Sequence, residues 1–142
     1  MYTSAARSWN VSDPVKKTVR IYLLAALFTA VLGHVYEHFS HGVYARGMFW
    51  AFLIPLMGGA AVYRVIALLK PRVIPSGMAA AMYHSGIATL TVGSLFKGAL
   101  DIYGTGSGLV IVYWIAGAAL TVAGAVRYLA TLSKAGSGTY RF

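Results

Sequence analysis

The chain alternates between long apolar runs and short polar connections. Each of the four runs holds about 20 residues, the number a helix rising 1.5 Å per residue needs to cross a hydrocarbon core of roughly 30 Å. The pattern predicts an all-α integral membrane protein. Its transmembrane helices fall at 14–41, 48–69, 77–100 and 109–131, forming a four-helix bundle in one domain, with short polar tails at 1–13 and 133–142.

Local signals punctuate the runs. Ser12-Asp13-Pro14 offers a cap followed by a proline suited to a first helical turn, and Gly42 is a helix stop. In the second helix Pro55 removes a backbone donor and predicts a kink that frees the carbonyl of Ala51, with Gly58-Gly59 just beyond. Such breaks line ion sites in some membrane proteins, so the Ala51 carbonyl is a candidate ligand. Lys70-Pro71-Arg72 opens a basic connector, and 101–108 reads as a flexible turn. The tail 1–11, with Tyr2, Arg7 and Trp9, has no apolar period and reads as interfacial.

Composition agrees with this reading. Of 142 residues 58% are hydrophobic and 11% are charged, far less charge than a soluble domain carries. A net charge of +9 does not indicate nucleic acid, because the basic residues sit at the ends of the apolar runs. They mark orientation instead. Arg7, Lys16, Lys17, Arg20, Lys70, Arg72, Arg127, Lys134 and Arg141 gather on one side, against Arg46 and Lys97 on the other, so both termini are expected inside a bacterial-type cytoplasmic membrane. Cysteine is absent, which excludes disulfides and thiolate metal sites.

The candidate chemistry is concentrated at the far end of the first helix. With four histidines and three acidic residues in the whole chain, the stretch Gly33 to Gly42 holds His34, Glu37, His38 and His41. Their spacing, i, i+3, i+4 and i+7, puts all four on one helix face. His34-x-x-Glu37-His38 has the form of an inverted zinc-peptidase motif, but short connections leave little room for a peptide substrate, so catalysis is not expected. Histidines one turn apart suit a divalent transition metal, with His34 and His38 as its ligands. The same groups can bind protons.

Sliding the chain by 60 residues pairs Gly33 with Gly93, Glu37 with Lys97 and His41 with Asp101, as two tandem helical hairpins would. If the first and third helices are neighbours, Lys97 and Asp101 complete the stripe. The function expected is therefore binding, and transport or sensing, of a divalent metal ion or of protons at an outward-facing site. Two other readings compete with it. A b-type haem or quinone protein needs facing histidines, and His84, the one histidine outside the first helix, lies about 15 Å from the depth of His34. A non-catalytic accessory or scaffold subunit would use the stripe only as an interfacial polar patch. The bilayer is the expected partner, and small-residue faces at Gly86, Gly93, Gly98, Gly117 and Gly124 favour a homo-oligomer or a larger membrane complex.

Overall fold

In the computed structural model, which describes residues 12–42, 45–69, 74–75 and 77–137, every regular element is helical. Helix α1 runs Ser12–Phe39 and α2 runs Arg46–Trp50; a π-helical turn Ile54–Ala61 leads into α3, Val62–Leu69. Helix α4 spans Gly77–Ile102 and α5 spans Leu109–Ser137. The tail 1–11, Tyr44, the connector at 70–73 and Arg141 lie outside the described residues.

Three segments are long and apolar enough to cross a membrane: Pro14–Phe39, Arg46–Leu69 and Leu109–Ser137. Their exteriors are greasy, with Leu24, Phe28, Ile115 and Leu129 each more than 60% exposed. The remaining long helix, α4, carries His84, Ser85, Thr89, Thr91 and Ser94. Its position accounts for the buried Ser94 and the half-buried His84, Thr89 and Thr91, while Ser85 is exposed. It packs on α5, on α2 and on the π-helical turn, burying Gly86, Ile87, Gly93, Ser94 and Gly98, so it faces its neighbours more than its surroundings.

Small residues set the packing. Gly86 of α4 lies against Thr121 and the Gly117 carbonyl of α5, and Gly124 of α5 lies against the backbone of Ala79 and Tyr83, so a side chain at either position would collide. Helix α2 closes the opposite end of the fold. The Ser94 hydroxyl donates to the Gly47 carbonyl at 2.7 Å. Met48, only 3% exposed, wedges between Gly33 of α1 and Gly98 of α4.

Two expectations need correction. Pro55 does not leave the Ala51 carbonyl free, because a tight i→i+3 turn ahead of the π-helical segment pairs it with the Ile54 N–H at 3.2 Å, and Ala51 is fully buried. The tail expected from residue 133 is helical to Ser137. No proline interrupts it, and Lys134 sits in the last turn, where a cation complements the helix dipole.

Candidate functional site

The stripe on α1 is only partly assembled. His34 and Glu37 line one hollow of about 170 Å³ with Ala30, Met48 and Phe49, and Glu37 also borders a second hollow with Arg46 and Trp50. His38 turns its ring edge-on to Phe39, with centroids 5.7 Å apart. His41 lies beyond the end of α1 in the left-handed region (φ 54°), followed by Gly42 (φ 93°), and its Nδ1 is 2.9 Å from the Phe39 carbonyl. The chain has left the helical path before His41, so the last member of the stripe does not align with the others.

Lys97 and Asp101 do not complete this face. They form an ion pair with each other, one turn apart on α4. Two physical reasons favour that pairing. Residues four apart on a helix meet without tertiary help, and α2 with its buried Met48 separates α1 from α4 at this end. Among the described residues no group of three His, Asp or Glu side chains is placed to hold a metal ion.

A second constellation lies at the other end of the helices, built around His84. The Tyr22 hydroxyl of α1 is 2.5 Å from His84 Nδ1, and the Tyr63 hydroxyl of α3 is 3.2 Å from Nε2. Tyr63 stacks on the imidazole at 5.3 Å and 21°, and Tyr22 and Tyr63 are 8% and 3% exposed. A neutral imidazole donates at one nitrogen and accepts at the other. Hydroxyl donors make the shorter bonds, so the distances fit Tyr22 donating to Nδ1 while Nε2–H donates to Tyr63. Both ring nitrogens are thus within hydrogen-bond distance of tyrosine hydroxyls.

The π-helical turn makes this cluster possible. A turn closed by i→i+5 bonds is wider than an α turn and shifts the residues after it in rotation. Here it presents Gly59 to the Tyr22 ring, which occupies the space a side chain would need, and it opens the Gly58 carbonyl to the Tyr83 hydroxyl at 2.6 Å. Pro55 starts the distortion by removing an amide donor near its beginning.

Two hollows flank the cluster. One, of about 430 Å³, separates α1 from α4; Tyr22 and His84 face it, with Phe28, Pro55, Ile87 and Leu95 among its apolar walls. The other, of about 220 Å³, is bordered by Tyr63, Tyr83 and Tyr128 and reaches Pro75 in the connector. The sequence places His84 apart from the α1 stripe and does not single out its tyrosine partners. A usable signal existed. The 60-residue offset superposes His84 on Leu24, two residues from Tyr22.

No known protein family matches the chain, and no curated protein or solved structure is similar to it. What fold and site define is a helical protein with apolar outer surfaces and a histidine held between tyrosines from two other helices.

Proposed function

We propose that the protein crosses the membrane four times as a helical bundle with both termini in the cytoplasm, and that it binds and passes protons at the Tyr22–His84–Tyr63 chain. The observation that carries this reading is the engagement of both His84 ring nitrogens by tyrosine hydroxyls from different helices. Ionisable side chains are costly inside a bilayer and mark functional positions. When a neutral imidazole takes a proton at one nitrogen and gives one up at the other, one proton passes through and the ring changes tautomer. The Tyr63 side borders the hollow that reaches Pro75, and the Tyr22 side borders the cleft between α1 and α4. The exposed His34 and His38 and the half-buried Glu37, about 18 Å further along α1, form a separate polar rim at the outer surface.

Nitrogen NMR on ¹⁵N-histidine-labelled protein in lipid nanodiscs tests the proton reading. His84 is expected to exchange between its two neutral tautomers, and Tyr63→Phe is expected to arrest that exchange. A single fixed tautomer in the wild-type protein at every pH examined would sink the idea.

Divalent metal binding is a second reading, favoured by the exposure of His34 and His38 one turn apart on α1. The pair supplies two ligands, and a second copy of the chain would supply the others. Stoichiometric zinc that disappears in the double variant His34→Ala, His38→Ala supports it; zinc uptake equal in both proteins excludes it.

A further inference from the structure

The end of α1 remote from His84 carries a carboxylate that the rest of the fold leaves unanswered. Asp101 pairs with Lys97, whereas the Glu37 carboxylate has no hydrogen bond or ion pair among the described residues, although Arg46 borders a hollow with it. A fully exposed carboxylate would need only water. Glu37 is half-buried, and aromatic rings surround it: Phe49 borders both of its hollows, of about 170 and 270 Å³, with Phe52 on the first and Trp50 on the second. Phe49 and Trp50 meet edge to face, with centroids 5.4 Å apart and planes at 86°, so their faces look in different directions. The close approach of Gly33 and Met48 holds α2 against α1 and sets Phe49, the next residue, beside Glu37.

Charge, hydrogen bonding and size together restrict the occupant. The unpaired carboxylate selects a cation, and aromatic faces attract cations through the ring quadrupole. A metal ion lacks its ligand set, since among the described residues no three His, Asp or Glu side chains are placed to hold one. A primary ammonium or a guanidinium brings several N–H donors. The side-chain nitrogen and oxygen acceptors at the first hollow are only Glu37 and His34, and donors left unmet against apolar walls are costly. A quaternary ammonium carries the charge without any donor, and its methyl groups suit ring faces. Both hollows are smaller than a drug-sized site, roughly 300–1,000 Å³, so the ligand is the size of a headgroup.

We propose that this end of the protein binds a small quaternary ammonium group, the trimethylammonium carried by free choline or by a choline lipid headgroup. Glu37 is its counter-charge, and Phe49 and Trp50 lie against its methyl groups. Arg46, which borders the second hollow, is the competing cation. The site is separate from the Tyr22–His84–Tyr63 chain, and it stands whether or not protons pass there.

The test uses the full chain in nanodiscs of phosphatidylethanolamine and phosphatidylglycerol, with choline as the probe and empty discs as the blank. Saturation-transfer NMR on the choline methyl protons should show saturable binding. Glu37→Gln should weaken it at least tenfold and Phe49→Leu several-fold, while Arg46→Gln should tighten it. An unchanged His84 nitrogen spectrum in Glu37→Gln shows that the fold is intact. Ethanolamine, the primary ammonium, and 3,3-dimethylbutanol, the uncharged isostere, should each bind at least tenfold more weakly than choline. Repeating the titration in phosphatidylcholine discs separates the sources: suppressed choline binding identifies the lipid headgroup as the occupant, and unchanged binding identifies the free cation. Absence of saturable choline binding in the choline-free discs overturns the proposal. So does wild-type affinity in Glu37→Gln, or equal affinity for ethanolamine or for the uncharged isostere.

Discussion

Tyr22 and His84 stand 62 residues apart in sequence, yet their side chains meet at 2.5 Å across the gap between α1 and α4. The main packing of these helices is elsewhere: α1 lies on the π-helical turn and α3, and α4 lies on α5 and α2. The contact therefore ties together two helices that other packing leaves apart.

Removing that bond should be measurable. Tyr22→Phe leaves one His84 nitrogen without its partner, and an unsatisfied buried group costs about 1–3 kcal/mol. Thermal unfolding in detergent should show lower stability, and a double-mutant cycle with His84→Gln should give a coupling of about 0.5–3 kcal/mol. Additive effects of the two changes would mean the contact contributes nothing of its own.

Gly59→Ala should destabilise the protein by about 1–3 kcal/mol, because its methyl group would enter the space of the Tyr22 ring, itself confined against Tyr63. Gly106→Ala provides the control. Nothing lies near the added atom there, and the change should stay within about 0.5 kcal/mol. Equal losses at the two positions would show that the close approach is unimportant.

Neutralising the Lys97–Asp101 pair should matter little. The side chains are 46% and 38% exposed, and an i,i+4 pair in such a setting is worth at most about 1 kcal/mol. Lys97→Gln and Asp101→Asn should each leave the melting temperature within a few degrees of wild type, and neither should alter the environment of Glu37. A large loss from Lys97→Gln would reveal a partner beyond Asp101.

The absence of cysteine permits a direct test of four crossings. A single cysteine replacing Ser107, between α4 and α5, should react with an impermeant maleimide added outside intact cells. One replacing Ser137, at the end of α5, should react only after the membrane is opened. The reverse pattern would overturn the orientation, and reaction of both from outside would overturn the crossing of α5.

Hydropathy and punctuation made much of the helical layout legible. α4 and α5 start at the expected residues and the break at Pro55 was visible, whereas α1 ends at Phe39, two residues before its expected bound, and His41 takes a positive φ ahead of Gly42. The polar stripe on α1 was legible because helical periodicity alone places His34, Glu37 and His38 on one face. Its complement was misjudged. Lys97 and Asp101 satisfy each other locally, while Met48 fills the space through which they would have met Glu37 and His41.

The sequence by itself determined which segments are helical, because apolar run length and the placement of proline and glycine act within a few residues along the chain. Only the tertiary structure decided that His84 belongs with Tyr22 and Tyr63. That grouping depends on the rotation of each helix about its axis and on how closely its neighbours approach. Both are set by the extra width of the π-helical turn and by the missing side chain at Gly59. A tyrosine in an apolar run therefore reads as ordinary lipid-facing or interfacial surface until packing turns it toward a partner.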